Sequence, residues 1–180
     1  GTGLRAEYFA EPEMRNCLFT RVDRPIDMLW GYDAPVSPVL VPSVRADNFA
    51  VRWTGWLKVS QPGKYTLIGL ADDELRIFLD DRLVLPVPGG PLKRRERAIE
   101  LEARPHLFKA EFKEGDQAAV VSLRWIPFGA SAEQVIPASA FFCDESVAAQ
   151  SAGAASAATS ADAGSEPGRG LLAQYFRGVN

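Results

Sequence analysis

The chain has 180 residues, 47% of them hydrophobic and 24% charged, and a net charge of -3. That balance suits a folded domain large enough to do without a disulfide framework. It lacks the basic surplus of a nucleic-acid binder, and no uncharged apolar run approaches the ~20 residues of a membrane helix, so neither nucleic acid nor membrane insertion is expected.

Gly1 to Phe9 follows the pattern G-x-G-L-x-A-x-Y-F, which returns at Gly168 to Phe176. Self-similarity of this kind marks tandem units. The chain starts without Met, directly before a strand-like segment, and stops soon after the pattern returns. It therefore reads as an excised piece of a longer protein. Cys17 and Cys143 lie just after the first predicted strand and just after the last. Two readings stay open for them: a disulfide, or two buried free thiols.

Further along, Phe49, Val51, Trp53 and Leu57 alternate with Arg52, Thr54 and Lys58, the period of a half-buried strand. Gln61-Pro62-Gly63 has Pro and Gly placed for a type II turn. Lys64 to Ala71 is apolar on both faces, as a central strand should be. Leu75 to Leu79 and Leu83 to Leu85 flank Asp80-Asp81, which predicts a hairpin. After Pro88-Gly89-Gly90-Pro91, the basic run Lys93-Arg94-Arg95-Glu96-Arg97 reads as a solvated, mobile loop. Phe108, Ala110 and Phe112 alternate with Lys109, Glu111 and Lys113, then Val121, Leu123 and Trp125 close the series. The pattern predicts an all-β domain over 1–143, an antiparallel two-sheet β-sandwich. From 144 to 169 small residues dominate, predicting a flexible linker. Residues 170–180 read as the first strand of a second, truncated copy, so the domain carries a flexible C-terminal extension.

These segments, taken in order, resemble the protective-antigen (PA-fourteen) domain family. The residues that carry the likeness are Gly3 to Phe9, Asp47 to Leu57, Pro62 to Leu67, Ala71-Asp72-Asp73-Glu74-Leu75-Arg76, Leu79 to Val84, Leu123-Arg124-Trp125 and Ile136-Pro137. The resemblance implies a two-sheet antiparallel sandwich in a secreted or surface protein, most often binding carbohydrate. In the lectin-like members an Asp-Asp pair joined by a cis peptide holds calcium, which contacts sugar hydroxyls. That pair matches Asp72-Asp73. The chain departs from the family pattern at Glu74, where Gly is usual, and at Asp81, where the hairpin is usually Asp-Gly.

The resemblance makes Asp72, Asp73 and Asp116 the expected metal ligands, with calcium as cofactor. Asp72, Asp73, Glu114 and Gln117 are the expected carbohydrate-binding residues. Calcium takes 6–8 oxygen ligands, which suits adjacent carboxylates. The plain alternative is that Asp72-Asp73 and the 114–117 loop only cap strand turns. Asp80 is expected to order its hairpin. Trp30, Trp53, Trp56 and Trp125 are all expected in the core.

Catalysis finds no support, because His106 is the single histidine and no G-x-S-x-G elbow occurs. An Asp-Asp dipeptide also does not set the ~5–9.5 Å spacing of a glycosidase pair. Any catalytic domain would stand elsewhere in the parent protein. The expected function is a non-catalytic carbohydrate-binding module of an extracellular, cell-surface or periplasmic protein. Its partners would be a glycan or polysaccharide, and neighbouring copies of the domain. The alternative is a structural spacer or protein-interaction and adhesion domain.

Overall fold

A computed structural model describes residues 2–144. Apart from Asp144, the predicted linker and the partial second copy lie outside these described residues.

Twelve strands follow in chain order: β1 Leu4–Phe9, β2 Cys17–Asp23, β3 Asp27–Gly31, β4 Ala50–Lys58, β5 Gly63–Asp72, β6 Glu74–Leu79, β7 Arg82–Val87, β8 Lys93–Leu101, β9 Pro105–Lys113, β10 Ala119–Ile126, β11 Gln134–Val135 and β12 Phe141–Phe142. One sheet has the order β2-β1-β4-β9-β6-β7, with β12 also on β4. The other has the order β11-β10-β5-β8, with β3 also on β10. Every pairing is antiparallel, and the two sheets form the predicted sandwich.

The alternation read from the sequence sets the core. Val51, Trp53 and Leu57 on β4 and Phe108, Ala110 and Phe112 on β9 are all buried. On β5 Ile68 is buried as well, although Tyr65, Leu67 and Ala71 carry the inward phase. Across the outer side of β5, Glu133 accepts from Arg124 on β10 and Arg94 on β8, each at 3.0 Å. This bridge explains how a strand apolar on both faces stays covered.

Four expectations need correction. The basic run Lys93 to Arg97 is not a loop; it begins β8, which pairs with β5 along its length. Nearly all its side chains are exposed, so no apolar period revealed it. It is an edge strand, and Arg97 donates across the sandwich seam to the Val84 carbonyl at 3.1 Å. Charged edges of this kind resist pairing with other chains.

The cysteines cannot bridge within the chain. Cys17 pairs with Phe9 at one end of β1, while the Cys143 thiol meets the Gly3 carbonyl at the other. The length of β1 separates them by ~20 Å, against ~6 Å between the Cα atoms of a disulfide. Both are free and exposed, so they are not buried thiols either.

The final segment, expected as a strand from Ser139, is a short 3-10 turn at Ala138–Ala140 followed by β12. Gly63 serves packing more than turning, since a Cβ there would meet the Phe128 ring at 2.4 Å.

The tryptophans follow expectation in part. Trp53 and Trp125 are buried. Trp30 is half-buried, edge-on to Phe49 with centroids 5.5 Å apart. Trp56 is half-buried too, opposite Leu107 and Phe142.

One polar group ties β1, β2 and β4 together. The buried Asp23 carboxylate accepts from Tyr8 Oη at 2.7 Å, Trp53 Nε1 at 2.9 Å and Arg21 Nε at 2.5 Å. Burial first, then the Asp23 charge, drives the Tyr8 phenol upward, so it stays a neutral donor. Removing the acceptor strands these donors in the interior. The Asp23→Ala variant is therefore expected to lose about 3 kcal/mol in urea unfolding, and a loss under ~1 kcal/mol would show the network to be dispensable.

Candidate functional site

The sandwich has one end where the chain crosses repeatedly between sheets. β5 ends at Asp72 in one sheet and β6 begins at Glu74 in the other. Only Asp73 lies between them, and the Asp72–Asp73 peptide bond is cis. The β3–β4, β7–β8 and β9–β10 connections also cross between sheets at this end.

Asp73 holds two of those crossings to the corner. Its Oδ1 accepts from the Gly90 N–H at 3.2 Å and its Oδ2 from the Gly115 N–H at 2.8 Å. Gly115 permits this approach, since a Cβ there would lie 3.1 Å from Asp73 Oδ2. Burial, then the Asp73 charge, raise the Asp72 carboxyl from its ordinary value; the Leu92 backbone opposes the rise and the Asp116 charge adds to it.

Glu114 continues the inward phase of β9 past Phe108, Ala110 and Phe112. Its backbone N–H donates to the Phe49 carbonyl at 2.9 Å, which extends the β4–β9 ladder. The side chain therefore points where a core residue would. It is fully buried, and among the described residues neither carboxylate oxygen has a hydrogen-bond partner. Burial, then the charges of Asp73, Asp72, Asp47 and Asp116, push its pKa up from 4.5 to about 8.

The structure thus gathers Asp72, Asp73, Glu114 and Asp116 into one electrostatically coupled group. Asp116 and Gln117 are exposed on the loop, and Gln117 adopts a left-handed conformation at φ 78. Glu114 stands behind them, closed off from solvent. Glu74 pairs with Arg76. Asp47, in the β3–β4 connection, was not singled out from the sequence. Its neighbour Asn48 donates its N–H to the Gly115 carbonyl at 3.0 Å, a contact made only on folding.

Asp80 lies at the opposite end of β6. Its carboxylate accepts from Arg104 Nη2 at 2.8 Å, the Leu107 N–H at 2.9 Å and contacts His106 Nδ1 at 2.9 Å. Despite its partial burial, these bonds hold its pKa down at about 2. It ties the hairpin to β9, a structural role. Asp80 and Asp81 both take left-handed conformations, as the hairpin requires.

Residues 2–139 match the PA14 domain model. The chain belongs to the PA14 domain family. It is 28% identical over 145 residues to anti-sigma-I factor RsgI3 of Acetivibrio thermocellus, covering 79% of this chain and 22% of that protein. It therefore spans about a fifth of that curated relative. An anti-sigma factor domain-containing protein from Clostridium clariflavum superposes with a TM-score of 0.71 at 27% identity, covering 80% of this chain and 48% of that one. The PA14 sugar-binding domain from an RTX adhesin superposes with a TM-score of 0.66 at 18% identity, covering 79% and 99%. That last likeness shows a shared fold.

The buried Glu114 also sets a pH dependence. Below about pH 4.5 it is protonated in folded and unfolded chains alike. As pH rises toward about 8 the unfolded chain releases the proton and the folded chain does not, so stability falls. Without added metal, Glu114→Gln is expected to stabilise the domain by about 4 kcal/mol at pH 8 and to change little at pH 4. Urea titrations at the two pH values check this, and an equal effect at both would contradict it.

Proposed function

We propose that this PA14 domain is a non-catalytic carbohydrate-binding module of a secreted or surface protein, and that calcium at the Asp72–Asp73 corner engages sugar hydroxyls. The observation that carries the reading is the Glu114 carboxylate, buried without a partner among the described residues and beside four further acidic groups. Such a group calls for a cation.

The donor chemistry fits calcium. Carboxylates and nearby carbonyls are hard oxygen ligands. No three acidic, histidine or cysteine side chains among the described residues stand close enough to form a ready cage. The ion would therefore draw on Asp72, Asp73 and Asp116, with main-chain carbonyls completing its shell. Glu114 would balance its charge from within, since burial keeps it from touching a sugar. Gln117, exposed on the same loop, would meet the ligand. When bound, calcium would supply a Lewis-acidic contact for vicinal hydroxyls.

The returning sequence pattern at 168–176 suggests tandem modules, which would gain avidity from effective concentration. The fold shared with the RTX adhesin sugar-binding domain supports the glycan reading.

A second reading is a spacer or protein-interaction domain. It is favoured by the higher identity to anti-sigma factor proteins and by the N–H donors that already engage both Asp73 oxygens.

Calorimetric titration with calcium and a glycan array with and without chelator separate the two. Calcium binding, chelator-sensitive glycan capture and at least a tenfold loss of both in Asp72→Ala are expected. Absence of both binding events in the wild type would leave the spacer reading.

A further inference from the structure

The two sheets leave a cleft beside their last strands. β7 ends one sheet and β8 ends the other. A cavity of about 880 Å³ lies between them, within the ~300–1,000 Å³ range of small-ligand sites. Leu79, Ile99 and Leu101 give it an apolar lining, and Arg82 and Arg97 line it with charge. It lies at the end of β6 that carries Asp80, opposite the Asp72–Asp73 corner.

Both arginines stand where the strand period calls for core residues. Residues directly opposite each other on neighbouring strands share one face of a sheet. Arg97 is opposite Leu67 and Arg82 is opposite Leu79, and both leucines are buried. Arg82 reaches that phase through a bulge, because the β6–β7 register steps from Ile77–Leu85 to Phe78–Leu83 and skips Val84. Arg97 donates from Nη1 to the carbonyl of that skipped residue at 3.1 Å. The bond fixes its guanidinium across the seam and leaves its other donors unused among the described residues.

The carboxylates that line the cleft are balanced by other cations. Asp80 and Glu102 both accept from Arg104. Glu100 takes the outer phase of β8, directly opposite Lys64. Arg82 and Arg97 meet no carboxylate among the described residues. The phase of Arg97 continues along β8 with Arg95 and Lys93, at steps of ~6.7 Å. These two side chains donate to the backbone carbonyls of Arg94 and Gly89. The cleft therefore opens onto a line of cations along one strand.

We propose that this cleft is a second, calcium-independent binding site, for an acidic saccharide whose carboxylate or sulfate is held by Arg82 and Arg97. The inference rests on the glycan reading above but not on the acidic corner. A planar guanidinium makes paired, charge-assisted hydrogen bonds to such oxyanions. A neutral sugar would leave both charges unanswered. The apolar lining receives the C–H face of the ring, and Arg95 and Lys93 serve the acid groups of the following units.

The test titrates an oligomannuronate and a sulfated galactan oligomer into the chain in the presence of chelator, beside their neutral mannan and galactan counterparts. At least one acidic oligomer is expected to bind about tenfold or more tightly than its neutral counterpart, and its identity separates carboxylate from sulfate. Arg82→Gln, which breaks no bond among the described residues, is expected to weaken that binding about fivefold. Arg82→Gln with Arg97→Gln is expected to weaken it about twentyfold or more. Arg24→Gln with Arg45→Gln removes the same charge from exposed positions outside the cleft and is expected to stay within about twofold. Asp72→Ala is expected to match the wild type in chelator. An equal loss in the two double variants, or no acidic oligomer bound in chelator, overturns the site. Glycan capture in calcium would then leave the glycan reading intact, and a chain that captures no glycan in either condition overturns both.

Discussion

The acidic end of the domain depends on one carboxylate. Asp73 is the only residue between two strands of opposite sheets, and its oxygens accept backbone N–H groups from the β7–β8 and β9–β10 connections. A single side chain thereby sets the spacing of three crossings. Hydrogen bonds from backbone donors to a charged acceptor are among the stronger ones a protein makes. The Gly115 backbone can approach because no Cβ intervenes. Placed there, the 114–117 loop brings Glu114 and Asp116 toward Asp72.

The same arrangement creates an electrostatic problem. Glu114 continues the inward phase of β9, whose preceding inward residues are Phe108, Ala110 and Phe112. Burial and four nearby acidic residues favour its protonated form. The described residues give its oxygens no donor. At the far end of the sandwich Asp80 shows the contrast. It is also partly buried, yet Arg104, His106 and the Leu107 N–H hold it ionised. Two acidic sites on one scaffold thus have opposite tendencies. The difference comes from the partners the fold supplies, since the residue types are alike.

Much of the fold was legible because burial imposes a period of two on strands with one wet face. β4 and β9 show that period plainly, and their register matches it residue for residue. The first half of β8 escapes the apolar pattern because Lys93 to Arg97 are all charged and nearly all exposed. Its strand character comes from pairing with β5. The position of the cysteines was missed for a related reason. Adjacency to the first and last strands in sequence says nothing about which end of a strand each residue occupies. The burial of Glu114 did have a signal: it continues the alternation of Phe108, Ala110 and Phe112. Gly115 and Asp116, which follow it, mask that signal by marking a turn.

The sequence alone determined the sandwich, the domain's extent to residue 143 as an expectation, the family, and the Asp72–Asp73 pair as the place to look. These follow from local patterns: alternation, turn residues and ordered motifs. Tertiary structure alone decided which groups share that place. It brought Asp47 and the end of the β3–β4 connection to the acidic corner, closed Glu114 away from water, and separated Cys17 from Cys143. Those outcomes depend on which strands pair and at which end the chain crosses between sheets. Long-range pairing of that kind leaves no trace in the spacing of neighbouring residues.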